Sequence, residues 1–329
     1  MRILIVFPGL IPVYLYGGTQ RVLWGLGKEL AALGHEVSFL VKEGSTCDFA
    51  KIIPIDESKS IVEQISSDFD VVHFHFNPKG VETLKVPYLI TMHGNRNDFT
   101  PFDKNTVFVS QNHAARFGSD SYVHNGLDWS EYKKAELKNK RSYFHFLGNA
   151  AWRVKNVKGA IDVIKKSKTE RLHVLGGVRF NFKMGIRLTF SPKIRFFGMV
   201  GGQEKMELLN GSKGLVFPVK WHEPFGLAIT ESLYYGSPVF GTPYGSLPEL
   251  VTKEVGFLSN QSDELANAIL ESNQYSRQKC HEYARDIFNS KVMALAYLKK
   301  YETVLSGEKL NKKPPKLIKL QDQKWLDWD

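Results

Sequence analysis

Residues 215–231 read LVFPVKWHEPFGLAITE and join an apolar run to an apolar helical pattern through a loop with proline and glycine. The run Leu215–Phe217 is typical of a strand buried on both faces of a parallel sheet. The pattern Leu227–Tyr235 predicts the helix that follows. Strand, tight loop and helix in this order are part of a βαβ unit. The stretch therefore predicts an α/β fold with ligand-binding groups at the carboxyl end of a strand.

Apolar runs of the same kind recur along both halves of the chain. In the first half they are Ile3–Phe7, Val37–Val41, Val71–Phe74, Tyr88–Met92, Val107–Ser110 and Tyr122–His124. In the second half they are Tyr143–Leu147, Leu172–Leu175, Ile194–Phe197, Leu215–Phe217, Val239–Phe240 and Gly256–Leu258. Helical patterns lie between them, as in Thr19–Leu33, whose apolar residues fall on one face. The alternation predicts two doubly wound, Rossmann-like α/β domains that face a central cleft.

The length of 329 residues fits two domains, at roughly 100–200 residues per domain. The polar, Lys-rich segment Trp129–Arg141 is typical of a linker. We therefore expect a first domain of residues 1–130 and a second of residues 131–305, which ends with the helical pattern Ser290–Leu305. We expect residues 306–329 to pack back on the first domain.

The composition is that of a folded globular chain with excess positive charge. Hydrophobic residues make up 43% and charged residues 24%, which excludes a disordered chain. The formal net charge of +10 favours an anionic partner: a nucleotide, a phosphorylated sugar, a membrane surface or nucleic acid. With two cysteines in the chain, we do not expect a fold held together by disulfide bonds. No apolar run approaches the length of about 18 residues that a membrane span needs, and the apolar N-terminus is too short for a signal peptide. We expect a cytoplasmic protein.

The loop that precedes the helix at Leu227 contains the strongest candidate site. Glu223 lies in this loop, and Glu231 lies inside the helix. The backbone N–H groups of Phe225, Gly226 and Leu227 would face a phosphate at the helix N-terminus. A carboxylate accepts hydrogen bonds from vicinal hydroxyls, as on ribose or hexose. The arrangement favours a ligand with sugar, diphosphate and ribose in series over a plain helix with acidic residues near its start.

Glycines mark three other strand ends. Gly17 and Gly18 lie between the first strand and its helix, but the G-x-G-x-x-G fingerprint is missing, so phosphate contact and a flexible turn are equally favoured. Gly177 and Gly198 follow later strands, where α/β sheets bind ligands. Each of these signals alone is weak.

Together the motifs resemble the retaining glycosyltransferases of family 4, which have the GT-B fold. The central motif is the E-x7-E block Glu223–Glu231. The other motifs are Gly17–Gln20, Asp70–His73, Ile90–Gly94, Asn125–Asp128, Lys155–Gly159 and Gly245–Val251. The resemblance covers nearly the whole chain, and the combination in this order is specific although no single motif is.

The resemblance implies a role for each candidate residue. Glu231 would hold the ribose hydroxyls, Glu223 would contact the donor hexose, and His93 would lie near the reacting sugar. Lys155 would neutralise the diphosphate leaving group, with Lys158 as the alternative. The remaining donor contacts would be Phe225, Gly226 and Leu227 at the sugar and diphosphate, Gly198, Met199 and Val200 at the base, and Gly17 and Gly18 at the diphosphate.

One position departs from the family pattern. The family usually has Gly-Arg at the end of the first strand of the second domain, where this chain has Gly148-Asn149. A neutral Asn149 cannot supply the positive charge of that arginine. Arg153 and Arg179, which follows Gly177, are the candidates for the second cation.

The activity implied by the resemblance is transfer of a hexose from a nucleoside diphosphate sugar, with a UDP-sugar favoured, to a hydroxyl of a glycan or lipid-linked acceptor. The usual account in the family is front-face attack without a metal ion, and no other cofactor is implied. The setting would be glycan or lipopolysaccharide-type biosynthesis. The protein could also contact the inner face of an anionic membrane as a peripheral protein. The alternatives are a sugar-nucleotide epimerase, a phosphorylase, or a non-catalytic sugar- or polyanion-binding relative.

Three further patterns were weighed against this interpretation. Nucleic-acid binding is disfavoured because the basic residues are scattered and no recognition helix is predicted. His73 and His75 share one face of a predicted strand, but no third ligand has suitable spacing, so packing is favoured over zinc. Trp325 and Trp328 are interpreted as packing on a domain face or contacting a membrane interface.

Overall fold

The structure is a computed structural model that describes residues 1–13, 17–181 and 187–329. The chain divides into two compact units. The described residues of the first unit are Met1–Val13, Gly17–Trp129 and Phe288–Gln321, and those of the second unit lie in Ser130–Ile287 and Asp322–Asp329.

The strands and helices are numbered in chain order. The strands are β1 Arg2–Phe7, β2 Glu36–Val41, β3 Lys51–Pro54, β4 Val71–Phe74, β5 Tyr88–Met92, β6 Thr106–Phe108, β7 Tyr143–Leu147, β8 Leu172–Leu175, β9 Phe180–Asn181, β10 Arg187–Leu188, β11 Ile194–Phe196, β12 Ser212–Phe217, β13 Val239–Gly241 and β14 Gly256–Leu258. The α-helices are α1 Gly18–Ala32, α2 Gln111–Arg116, α3 Val157–Lys166, α4 Gly202–Asn210, α5 Leu227–Tyr234, α6 Leu247–Leu250, α7 Ser262–Leu270, α8 Arg277–Ile287 and α9 Ser290–Leu305. Short 3-10 helices span Val62–Gln64, Val81–Thr83, Trp129–Glu131, Arg153–Lys155 and Ser272–Gln274.

The first unit is built on a six-stranded parallel sheet with the strand order β3-β2-β1-β4-β5-β6. Residues 3–6 of the central strand β1 are fully buried, as expected for an Ile/Val-rich strand covered on both faces. Helix α1 packs Val22, Leu23, Leu26 and Leu30 into the core. The predicted strand Tyr122–His124 is reduced to a single bridge between Tyr122 and Phe108.

Helix α9 belongs to the first unit, whereas the sequence placed it at the end of the second domain. Its Tyr301 hydroxyl is 2.9 Å from Nδ1 of His73 on β4, and its Tyr297 hydroxyl is 2.8 Å from Oγ1 of Thr91 on β5. Because buried polar groups need hydrogen-bond partners, these contacts fix the helix on this sheet. The partners are about two hundred residues apart in the chain (|i−j| of 228 and 206), and this distance explains why the helical pattern alone did not reveal them.

The segment after α9 also differs in part from expectation. Its earlier residues hold to the first unit: Phe102 N donates to Pro315 O over 2.7 Å, and Lys316 N donates to Phe117 O over 2.9 Å. The last eight residues, Asp322–Asp329, belong to the second unit instead. Residues 306–329 therefore do not pack as one piece.

The second unit is built on a parallel sheet with the strand order β11-β8-β7-β12-β13-β14. Phenylalanines of β7 and β13 and valines of β8 and β12 form its core together with α3 and α7. Strands β9 and β10 form a small antiparallel sheet separate from the main sheet, and the sequence analysis predicted neither of them. The two parallel sheets with flanking helices confirm the predicted α/β fold class.

His145 links the sheet of the second unit to helix α5. Its Nδ1 is 2.6 Å from the Ser212 hydroxyl of β12, and its Nε2 is 2.8 Å from the Ser232 hydroxyl of α5. Burial, with a smaller contribution from the charge of Arg141, lowers the pKa of His145 to about 3. The imidazole is therefore neutral at neutral pH, with a serine at each ring nitrogen.

We expect the second unit to lose stability as the pH falls from the ordinary histidine pKa of about 6.5 towards the folded-state pKa of His145 of about 3. In this range the unfolded chain binds a proton that the folded chain excludes. His145→Gln should lower the melting temperature at pH 7.5 but reduce the pH slope of the free energy of unfolding by up to about 1.4 kcal/mol per pH unit. Calorimetric melting of both proteins between pH 7.5 and pH 5 tests this. Parallel curves for the two proteins would contradict the assignment.

Candidate functional site

The loop between β12 and α5 is shaped by Gly226. This residue has a φ of +86°, in the left-handed region, immediately before α5 begins at Leu227. A Cβ atom here would lie 3.0 Å from Cδ1 of Ile229 and 3.3 Å from Cγ of Glu223. Glycine therefore allows the chain to turn sharply into the helix while the Glu223 side chain packs against the turn. The Phe225 ring is buried and anchors the same loop in the core.

Glu223 is buried in this loop and holds two donors. Its Oε2 atom accepts hydrogen bonds from Lys155 Nζ over 2.6 Å and from Trp221 Nε1 over 2.8 Å. The side chains of Lys155 and Glu223 are 11% and 7% exposed. A carboxylate this deeply buried needs an opposite charge and hydrogen bonds to offset its lost hydration. The structure thus brings together two of the predicted catalytic residues, Glu223 and Lys155.

Glu231 lies in α5 and forms a second buried pair. Its Oε1 atom accepts hydrogen bonds from Lys205 Nζ and, over 2.7 Å, from the Tyr132 hydroxyl. The side chains of Lys205 and Glu231 are 4% and 5% exposed. The sequence interpretation missed both partners. Lys205 lies on the buried face of α4, one turn before the buried Leu209, and a lysine in an apolar position was the signal for it. Tyr132 gave no signal within a polar segment.

The loop that contains Lys155 is fixed on both sides. Asn156 has a φ of +54° and caps α3, because its side chain accepts a hydrogen bond from Gly159 N over 3.0 Å and donates to Pro218 O over 2.9 Å. Lys220 N donates to Val154 O over 2.7 Å. The 3-10 turn Arg153–Lys155 is therefore attached to the segment that follows β12. Lys158, the alternative to Lys155, is exposed on α3.

The candidates for a second cation differ in their surroundings. Asn149 closes a turn, with its Oδ1 accepting from Ala151 N over 3.0 Å. The Arg179 guanidinium donates to the carbonyls of Thr189, Ser191 and Ile194 around the β9–β10 pair. Arg153 is exposed and lies in the same 3-10 turn as Lys155.

The predicted base-binding residues follow β11. Gly177 and Gly198 pair through backbone hydrogen bonds, with Gly198 N donating to Gly177 O over 3.0 Å. Met199 is 45% exposed, and Val200 is half-buried. This edge lies at the carboxyl ends of β8 and β11, as the glycines predicted.

Gly17, Gly18 and His93 belong to the first unit. Gly17 lies directly before α1, which begins at Gly18, and a Cβ atom on Gly17 would lie 2.8 Å from Oε1 of Gln20. His93 follows β5, and its Nε2 is 2.9 Å from Nδ1 of the buried His75. Burial lowers the pKa of His93 to about 4, so its imidazole is neutral at neutral pH.

Residues 1–13, 17–181 and 187–329 contain neither a candidate metal centre nor a candidate membrane span. No group of three or more His, Cys, Asp or Glu side chains in these ranges could hold a metal ion. Within the same ranges, no helix combines the length and the apolar character needed to cross a bilayer.

Solved structures with the same fold are glycosyltransferases. AviGT4, a glycosyltransferase involved in avilamycin A biosynthesis, superposes with a TM-score of 0.74 at 20% identity, over 93% of this chain and 98% of that one. Sucrose-phosphate synthase from Thermosynechococcus elongatus gives 0.70 at 15% identity, over 93% and 100%. HepE from Anabaena, in complex with UDP-glucose, gives 0.65 at 15% identity, over 93% and 100%.

A sequence relative and a family model also match. A protein of 41.2 kDa in the cps region of Klebsiella pneumoniae is 28% identical over 117 residues, 33% of this chain and 32% of that protein. The chain thus spans about a third of the length of this curated relative. The family model described as glycosyl transferases group 1 matches residues 128–287, most of the second unit. Residues 128–287 therefore match the family described as glycosyl transferases group 1, and the fold is that of GT-B glycosyltransferase structures.

Proposed function

We propose that this protein is a retaining glycosyltransferase of family 4. It transfers a hexose from a nucleoside diphosphate sugar, with a UDP-sugar as the favoured donor. The acceptor is a hydroxyl of a glycan or of a lipid-linked molecule, and the setting is glycan or lipopolysaccharide-type biosynthesis. The observation that carries the proposal is the pair of buried carboxylates, Glu223 before α5 and Glu231 within it, each held by a lysine. The complex of HepE with UDP-glucose supports the choice of donor.

The leaving group determines what the site must supply. Breaking the bond between the sugar C1 and the diphosphate oxygen places negative charge on the nucleoside diphosphate, and fixed positive groups stabilise that charge as it develops. Lys155 has three N–H donors, so it can keep its hydrogen bond to Glu223 and still reach a phosphate oxygen. The positive end of the α5 dipole adds to the same field. These groups act without a metal ion.

Retention follows if the acceptor attacks from the face that the diphosphate leaves. The acceptor oxygen bonds to C1 as the C1–O bond to the diphosphate breaks, and the acceptor proton passes to a phosphate oxygen of the leaving group. Glu223 holds the donor hexose during this step. The products are a nucleoside diphosphate and a glycoside with the anomeric configuration of the donor.

Glu231 recognises the ribose. A carboxylate accepts from two neighbouring hydroxyls at once. Lys205 and Tyr132 hold this carboxylate in one orientation through their hydrogen bonds. The contact is made to a part of the donor that does not react, so it contributes to donor binding more than to the chemical step.

A ligand screen followed by product analysis tests the function. Among UDP-, GDP- and ADP-sugars, one should raise the melting temperature, because a ligand that binds the folded state stabilises it. That donor should release its nucleoside diphosphate in the presence of acceptor, give a product of retained configuration by NMR, and do so equally in EDTA. Three results would each contradict the proposal: inversion at C1, loss of activity in EDTA, or formation of a sugar phosphate when inorganic phosphate is the acceptor.

Lys155→Ala should lower kcat by about 10²–10³-fold with a much smaller change in donor KM, because Lys155 stabilises charge that develops in the transition state. Lys158→Ala removes one positive charge from the same region of the second unit and serves as the comparison. We expect it to keep kcat within about twofold, a difference of about 0.4 kcal/mol. Initial rates at saturating acceptor measure both. The reverse ranking would assign the leaving group to Lys158.

Glu231→Gln should raise donor KM about tenfold with little change in kcat, because a neutral amide is a weaker acceptor for the ribose hydroxyls. The change leaves Lys205 buried without its counter-charge, so it should also lower stability by several kcal/mol.

The double variant Glu231→Gln/Lys205→Met separates the two effects. It removes both charges together, so we expect the melting temperature to recover while donor KM stays high. Recovery of donor KM together with stability would show that Glu231 acts on folding and does not touch the donor.

A further inference from the structure

The last eight residues form a returning segment, Asp322–Asp329, which packs on the second unit after the preceding residues have packed on the first. Its backbone is attached at several points. Leu326 N donates to Lys220 O over 2.9 Å, and Asp329 N donates to Asn260 O over 3.1 Å. Ser262 N donates to Asp329 O over 2.8 Å. The segment is thus joined to the loop after β12 and to the start of α7.

The two tryptophans of the returning segment have different surroundings. Trp328 packs against the core of the second unit, close enough to α3 that a Cβ atom on Gly159 would lie 2.8 Å from its ring. Trp325 instead lies beneath positive charges: Arg153, Lys220 and Lys324 are 5.6, 5.6 and 5.4 Å from its ring centroid. These distances fall within the cation–π range of about 6 Å. Trp328 anchors the segment, and Trp325 faces the cations.

Trp325 is connected to the proposed diphosphate site through two chains of contacts. Its ring holds the guanidinium of Arg153, which lies in the same 3-10 turn as Lys155. Its neighbour Leu326 is bonded to Lys220, whose own N–H donates to Val154 in that turn. The side-chain route and the backbone route both end in the Arg153–Lys155 turn.

Charge balance makes Arg153 important for a diphosphate. The charge of Lys155 is matched by Glu223, and the charge of Lys205 is matched by Glu231, so neither pair carries a net charge. A diphosphate needs positive charge around it, and of the three cations at Trp325 it is Arg153 that lies in the same turn as Lys155. An exposed arginine contributes most if it is already held where the ligand binds, because ordering its side chain on binding would cost entropy.

We propose that Trp325 is a positioning residue that holds Arg153, through its ring face, as the second cation for the diphosphate of the donor. The proposal rests on the proposed function. Trp325 itself does not touch the donor; it fixes the position of the Arg153 guanidinium before the donor binds. The segment 322–329 is thereby part of the donor site, although it begins 91 residues after Glu231, the end of the E-x7-E block.

A matched set of variants tests the proposal: Trp325→Phe, Trp325→Leu, Arg153→Gln and the double variant Arg153→Gln/Trp325→Leu. Phenylalanine keeps an aromatic face, and leucine keeps an apolar side chain without one. UDP, GDP and ADP are titrated into the wild type by calorimetry, and the tightest of them is used with the variants. We expect about fivefold weaker binding for Trp325→Leu, less than twofold for Trp325→Phe, and about tenfold for Arg153→Gln.

The double variant should bind within twofold of Arg153→Gln alone, because Trp325 acts through Arg153. Losses that multiply in the double variant, or equal losses for the leucine and phenylalanine variants, would overturn the proposal.

Hydrogen exchange in the ligand-free protein separates positioning from loosening of the whole segment. Trp325→Leu should speed exchange of residues 153–156 severalfold and leave the amides of Leu326 and Ser262 unchanged, since these report the attachment of the segment. Faster exchange at Leu326 and Ser262 as well would mean that the tryptophan only holds the segment down. A wild type that binds none of the three nucleotides contradicts the proposed function, and the role of Trp325 with it. Binding by the wild type with no loss in Trp325→Leu contradicts the role of Trp325 alone.

Discussion

Glu223 and Glu231 are carboxylates that the fold has removed from water, and a buried carboxylate persists only beside a cation and hydrogen-bond donors. The rest of the second unit meets this requirement with parts drawn from distant stretches of the chain. Lys155 comes from the loop after β7, and Lys205 comes from α4. Loss of either lysine would leave a buried carboxylate without its counter-charge, so the turn that carries Lys155 and the helix that carries Lys205 must be as well fixed as the carboxylates.

The sheet explains how these parts meet. Strands β7 and β12 are neighbours and run parallel, so the loops at their carboxyl ends emerge side by side. Lys155 and Glu223 are 68 residues apart in the chain and 2.6 Å apart in space for this reason. The hydrogen bond between His145 and Ser232, the residue after Glu231, sets the position of α5 against the same two strands. Strand order thus decides which side chains can pair.

The sequence predicted most of this framework but not its long-range contacts. Buried strands and the glycine before α5 leave local signals, since apolar runs and a turn into a helix depend on adjacent residues. The position of α9 depends on hydrogen bonds between Tyr297 and β5 and between Tyr301 and β4. No pattern of neighbouring residues in the sequence predicts such long-range contacts. Lys205 had a signal that was overlooked, a charge on the buried face of a helix. For Trp325 and Trp328 the sequence left two interpretations open, packing on a domain face and contact with a membrane interface. In the structure Trp328 packs against the core of the second unit, whereas residues 306–329 were expected on the first domain.

Buried and exposed charges do different work in the proposed reaction. The pairs Lys155–Glu223 and Lys205–Glu231 are fixed before any ligand arrives, so they contribute geometry without reorganisation during the chemical step. Because each pair is neutral, neither alone favours a ligand with two or more negative charges. Arg153 differs because it is exposed and stays hydrated until the ligand binds, so it needs a contact that holds it in place. An indole face suits that need, since it holds a guanidinium without cancelling its charge. A site for a diphosphate can therefore combine neutral buried pairs, which fix the geometry, with an exposed cation that an aromatic ring holds in place.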